Sequence, residues 1–293
     1  MTTITPNYYK DFKCIANRCK HSCCVGWEIE IDDNTFKKYS AVKGEFAQRL
    51  KTNIEPNDTP HFKLDLNERC PFLNANGLCD IITNLGEDML CQICSDHPRF
   101  RNYYDDFVEV GLGLCCEAAA EIILSKKEKA TLNLTQEALQ IQLVSFRQKL
   151  FDILQDRNIS IKNRIDNMLS LIDAKFPDNV DWYSCFNALE KLDKSWDEYL
   201  LRIKGGIETG GDDTSLDTAY EQLLVYLIYR HFLDCQYDDM LRERVLLAVL
   251  IYKIIRKMNI SNTLDELIEI ARLYSCEIEY SDENINELLL RLA

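Results

Sequence analysis

Cys14-Ile15-Ala16-Asn17-Arg18-Cys19-Lys20-His21-Ser22-Cys23-Cys24 packs four thiols into eleven residues. Three further segments continue the pattern: Cys70-Pro71-Phe72-Leu73 with Gly77-Leu78-Cys79-Asp80, then Cys91-x2-Cys94-x3-Pro98-Arg99-Phe100, then Gly111-Leu112-Gly113-Leu114-Cys115-Cys116-Glu117. Ten of the thirteen cysteines fall within the first 116 residues, and only Cys185, Cys235 and Cys276 follow. The chain therefore reads as two parts. Residues 1–128 form an irregular, cysteine-rich metal-binding domain with minor β content, broken by loop signals such as Glu55-Pro56-Asn57-Asp58-Thr59-Pro60 and Asn74-Ala75-Asn76-Gly77. The charged run Lys126-Lys127-Glu128-Lys129 marks the crossing into an all-α helical domain over residues 129–293.

Beyond residue 132 apolar residues recur at helical spacing. Leu139, Leu143, Phe146, Leu150, Ile153 and Leu154 share one face of a helix. Further helical patterns cover roughly 160–173, 183–200, 216–236, 239–258, 263–276 and 283–292. Thr263-Leu264-Asp265-Glu266 has the form of a capping box, and Val225 to Phe232 reads as a core helix. The stretch 204–213, with four glycines, reads as a flexible loop. The expected fold is mainly α.

Composition narrows the function classes. A net charge of −14 repels phosphate backbones, so no nucleic-acid partner is expected. The amino terminus lacks the basic and apolar regions of a signal peptide. The longest apolar run, Val245 to Tyr252, falls short of the about 20 residues that span a bilayer. A cytoplasmic protein without a membrane partner is expected. In that reducing setting stable disulfides are rare, and an odd number of cysteines does not make a complete intramolecular set. Metal-bound thiolates and plain buried thiols are the readings that remain.

Short spacings bring sulfurs together. Within a helix over 17–26, Cys19 and Cys23 would share a face; Cys91 and Cys94 would meet across one turn. Side chains of a cysteine doublet diverge, so each doublet offers one ligand per centre, with Cys23 and Cys116 favoured. The candidate ligands are Cys14, Cys19, Cys23, Cys70, Cys79, Cys94 and Cys116. A structural zinc site pairs two short knuckles, whereas one C-x2-C and scattered partners suit an iron–sulfur cluster better, [4Fe–4S] first. Zinc and unliganded thiols remain alternatives. His21, His97, Trp27, Tyr103 and Tyr104 are expected to hydrogen-bond or pack around the centre. Glu28 to Asp32 reads as a half-buried strand, and Cys185, Cys235 and Cys276 read as packing thiols. No G-x-G-x-x-G follows a strand, so a Rossmann-type nucleotide site is not supported. No catalytic residue is assigned.

On the stretch Cys14 to Trp27, Cys-Pro-Phe-Leu at 70–73, Gly-Leu-Cys at 77–79, Leu-Cys-x-x-Cys at 90–94, His-Pro-Arg at 97–99 and Cys-Cys-Glu at 115–117, the sequence resembles the bacterial flagellin lysine N-methylases. These sit within a wider cysteine-cluster group of zinc- or iron-chelating proteins. The resemblance covers about residues 8–125; the helical remainder is similar in length and character. It implies methyl transfer from S-adenosylmethionine to flagellin lysines by a protein that carries an iron–sulfur cluster. It also implies that Cys70, Cys79, Cys94 and a late cysteine have counterparts in the group, and it makes Cys91 the least expected ligand. The competing reading is a non-catalytic zinc- or iron-binding module whose helical domain docks a protein partner.

Overall fold

The structure, a computed structural model, describes residues 2–177, 179–208 and 214–293. In chain order it contains β1 (Thr2–Ile4), α1 (Asp33–Ala41), α2 (Glu45–Asn53), β2 (Ile54–Glu55), β3 (His61–Phe62), α3 (Asp80–Leu85), α4 (Gln92–Asp96), β4 (Arg99–Tyr103) and β5 (Phe107–Leu112). The helices α5 (Glu117–Leu124), α6 (Gln136–Gln140), α7 (Gln142–Leu154), α8 (Ile161–Leu171), α9 (Trp182–Asn187) and α10 (Lys194–Leu200) follow. The chain ends with α11 (Asp217–His231), α12 (Cys235–Asp238), α13 (Leu241–Met258), α14 (Leu264–Tyr274) and α15 (Asp282–Leu292). The protein is mainly α, as the periodicity required.

Two compact units divide the chain. One is Lys13–Phe100; the other joins Met1–Phe12 to Arg101–Ala293. The divisions fall at 12/13 and 100/101, where the sequence suggested a single crossing near 128. The reason is long-range pairing. β1 runs parallel to β5, with Ile4 opposite Glu109, in a sheet ordered β1-β5-β4. The run 126–129 lies inside the helical unit: the Lys126 and Glu128 carbonyls accept from Gln222 Nε2 at 3.3 and 2.8 Å, and that of Lys127 accepts from Arg157 at 2.8 Å. A run whose carbonyls are taken by the buried Gln222 and by Arg157 is part of that unit and not a linker.

The helical unit is organised around α11, which is buried on almost every side. Polar side chains buried with it need partners, and its tyrosines end on fixed ones. Tyr229 Oη donates at 3.2 Å to the carbonyls of Ile4 and Val110, and Tyr226 Oη donates at 2.7 Å to Glu279. Glu221 on the same helix takes hydrogen bonds from Arg157 and from Arg164 at 2.7 Å, so α8 is tied to α11 by charge. Buried carboxylates are held in a core only with such partners.

Where helical periodicity left out tertiary partners, the structure departs from it. The pattern over 183–200 is two helices, α9 and α10, because the Glu277 carboxylate takes the backbone amides of Leu192 and Asp193 at 2.7 and 2.8 Å. Asp193 then caps α10 through Ser195 N. The capping box at Thr263 forms by half: Thr263 Oγ1 accepts from Glu266 N at 3.3 Å, while the Glu266 carboxylate turns to Ser261 and Arg202. Of the loop expected at 204–213, residues 209–213 lie outside the described residues. Among the described residues no helix is long and apolar enough to cross a membrane.

Candidate metal centre

Three local devices gather sulfurs in the unit Lys13–Phe100. The first is an antiparallel contact: Val25 bridges Arg69, Cys70 N donates to the Cys24 carbonyl at 2.8 Å, and Gly26 N donates to Glu68 at 3.0 Å. This places Cys24 beside Cys70. The second is a tight turn. The Asn74 side chain accepts from the amides of Asn76 and Leu78 at 2.9 and 3.0 Å, and Gly77 takes a φ of +72°, which only glycine adopts at little cost. The strand arms of that turn pair Leu73 with Cys79. Asp80 locks the base, accepting from Asn74 Nδ2 at 2.8 Å and from Arg49 at 2.6 Å, while Arg49 lies over the rings of Phe46 and Phe72.

The third device is the short helix α4. Asp32 caps α1 through Thr35 N and, with its other oxygen, accepts from Gln92 N at 2.8 Å, which fixes the start of α4. Cys91 and Cys94 then lie one turn apart with their sulfurs at 3.2 Å. Cys70 and Cys91 are buried in one core with Ile29, Tyr39, Phe62, Phe72 and Ile81, and Cys24, Cys79 and Cys94 pack against it half-buried.

These five thiols act on one another's ionisation. Burial pushes Cys70 up to about 12, with the Cys24, Cys79 and Cys91 charges adding to it. Burial also raises Cys79. The hydrogen bond between Cys91 and Cys94 lowers Cys91 and raises Cys94. Cys24, hydrogen-bonded by Cys23, is brought down to about 7. Each thiolate formed here opposes the ionisation of its neighbours in a medium that screens poorly. A cation at the centre would reverse that sign and favour thiolates.

Among the described residues no three His, Cys, Asp or Glu groups stand ready in a metal-holding arrangement. Thiolate bonds of about 2.3 Å to one tetrahedral ion set sulfurs about 3.7 Å apart; the Cys91–Cys94 pair, at 3.2 Å, lies inside that spacing. In donor chemistry the five sulfurs fit a thiophilic metal or cluster. In geometry they offer a pair with three sulfurs around it, so ligation requires the segments to draw inward.

The sequence candidates are placed as follows. Cys70, Cys79 and Cys94 are in the gathering. Cys24, which the doublet argument did not favour, and Cys91, which the resemblance did not favour, join them. Cys14 is exposed, with its sulfur 3.4 Å from Ala16 N, and Cys19 is half-buried at the end of a single turn over Ala16–Arg18. The helix over 17–26 is absent: Cys19 has extended dihedrals, so the i,i+4 relation to Cys23 does not arise. Cys23 is exposed; its carbonyl accepts from Trp27 Nε1 at 2.7 Å. Cys116 belongs to the helical unit, at the start of α5 beside Cys115. Cys276, read as a packing thiol, faces the Cys115 carbonyl at 3.9 Å and Arg272 at 3.8 Å.

Trp27 packs its ring against His97 at 6.5 Å. Burial draws His97 down to about 4, so it is neutral at physiological pH. Glu28 to Asp32 keeps the expected alternation, with Ile29 and Ile31 buried, but it pairs only through the bridge from Glu30 to His61. Tyr104 is buried and Tyr103 exposed, each in the helical unit.

Residues 110–293 match the family model of the FliB lysine N-methylase C-terminal domain. Proteins named lysine-N-methylase from Salmonella choleraesuis and Salmonella typhimurium are each 28% identical over 140 residues, covering 45% of this chain and 35% of their own length. A protein named flagellar biosynthetic protein FliU from Salmonella muenchen is 28% identical over 139 residues, 45% of this chain and 82% of its own. The match thus spans about a third of the two lysine-N-methylases. No solved structure matches.

Proposed function

The chain belongs to the FliB lysine N-methylase family through its C-terminal domain, and from that premise we propose that it is a cytoplasmic protein lysine N-methyltransferase whose substrate is flagellin. The proposed donor is S-adenosylmethionine, and the proposed resident cofactor is an iron–sulfur cluster. The observation that carries the reading is the family match over residues 110–293; the names of the similar proteins support lysine as the acceptor and a flagellar substrate.

The proposed ligands are drawn from Cys24, Cys70, Cys79, Cys91 and Cys94, which are the sulfurs gathered in one core. A bound cluster would supply the positive charge that favours thiolates at these cysteines and would tie the three chain segments together. The chain's own residues do the rest. Ile29, Phe62, Phe72 and Ile81 keep water from the sulfurs, and Tyr39, anchored by Oη to the Met89 carbonyl at 2.8 Å, closes the same core. The transfer itself joins a neutral lysine amine to the sulfonium methyl group: a nitrogen–carbon bond forms as the carbon–sulfur bond breaks, and the amine then sheds a proton. A lysine must be deprotonated before it attacks, so the acceptor site has to lower its pKa by desolvation or by a nearby charge.

Co-expression of the full chain with its cognate flagellin, followed by mass spectrometry of flagellin peptides, tests the reading. Methylated lysines that disappear when the chain is left out are expected. Unmodified flagellin in the presence of cluster-loaded protein would overturn the proposal.

A further inference from the structure

Cys91 and Cys94 are closer to each other than ligation asks. Their sulfurs lie 3.2 Å apart, inside the about 3.7 Å that two thiolates keep on one tetrahedral ion. A disulfide bond of about 2.0 Å needs them to approach by about 1.2 Å. The backbone of the pair is held for that approach: Ser95 N donates to the Cys91 carbonyl at 3.0 Å, and Asp32 takes Gln92 N between the two cysteines. The two differ in access, with Cys91 1% exposed and Cys94 half-buried. By residue exposure Cys94 is the more accessible of the two.

We propose that Cys91 and Cys94 form a redox-active dithiol that closes to an intramolecular disulfide when no metal is bound, with a glutathione-type disulfide as oxidant. In a pair that holds one proton, the Cys94 sulfur attacks one sulfur of the oxidant and its proton passes to Cys91. A Cys94–glutathione bond forms, and one glutathione thiolate leaves. Cys91 then attacks the Cys94 sulfur; the Cys91–Cys94 bond forms as the Cys94–glutathione bond breaks. The second glutathione departs carrying the Cys91 proton. Two cysteine thiols are oxidised by two electrons, and one disulfide is reduced to two thiols. Closure takes two sulfurs away from the metal centre, a consequence that rests on the metal reading above; the dithiol chemistry itself does not.

The test uses the full chain, purified without oxygen, stripped with a chelator under reductant and then exposed to glutathione disulfide. Remaining thiols are alkylated, and the peptide containing residues 91–94 is sequenced by mass spectrometry. The expected peptide is lighter by two hydrogens, with neither cysteine alkylated, and Cys91→Ser leaves glutathione retained on Cys94. Alkylation of both cysteines, or a cross-link from either to a different cysteine, overturns the proposal. A disulfide in protein that never held metal removes the metal reading alone; metal-bearing protein whose stripped form stays a dithiol removes the redox proposal alone.

Discussion

Cys94→Ser is expected to reduce bound metal from a full complement to a small residue and to loosen the unit Lys13–Phe100. Cys94 is the sulfur in contact with Cys91 and within the fields of Cys24 and Cys70, so serine there removes the member on which the others converge. Metal binding and folding are one equilibrium in sites of this type, with apparent binding free energies of about 10 kcal/mol or more for thiolate-rich zinc sites. Cys79→Ser is expected to behave alike. Cys185→Ser is the control, because Cys185 lies in the helical unit beside Ser184 and Arg291, on a groove of about 490 Å³. Its metal content should match the unaltered protein. The check is metal analysis of each variant beside protease resistance of residues 13–100. Equal loss in all three variants would mean that the sulfurs of this core are not the ligands.

The second large effect concerns stability. Arg147 and Glu109 meet in the core as a two-point pair at 2.7 and 2.5 Å, with exposures of 1% and 0%. Burial pushes the Glu109 carboxyl up and the Arg147 guanidinium opposes it. The pair joins β5 to α7, and Arg147 also lies over the Tyr229 ring at 5.2 Å. Removing one partner strands a charge in a dry interior, which costs about 3–5 kcal/mol. Glu109→Ala is therefore expected to lower the stability of the helical unit by that amount. The double replacement Glu109→Leu with Arg147→Met is expected to recover most of it, because a buried pair gains little over well-packed apolar side chains. Urea unfolding of the single and double variants gives both numbers. A loss in the double variant as large as in Glu109→Ala would show that packing, not the stranded charge, sets the cost.

Local patterns carried much of the fold. The helical text from residue 136 onward was readable because α7, α8, α13, α14 and α15 bury one face or most of their surface at a 3.6-residue period. Distant partners were not readable. Nothing near Leu192 announces that Glu277 will take its amide, so the break between α9 and α10 was missed. The boundary near 128 failed for the same reason, since β1 and β5 pair across about a hundred residues. At the site, the C-x2-C spacing of Cys91 and Cys94 was legible, yet the resemblance argued against Cys91. Which member of Cys23-Cys24 turns inward was not legible: it is decided by the contact of residues 24–26 with 68–70, and sequence spacing holds no trace of that register.

The central claim is that sulfurs from the three segments around Cys24, Cys70–Cys79 and Cys91–Cys94 hold an inorganic centre. Iron, zinc and acid-labile sulfide in the full chain, purified without oxygen and counted per polypeptide, address it most directly. The account predicts about four irons and about four sulfides per chain. Protein that is folded, fully reduced in its thiols and free of iron, zinc and sulfide would contradict it.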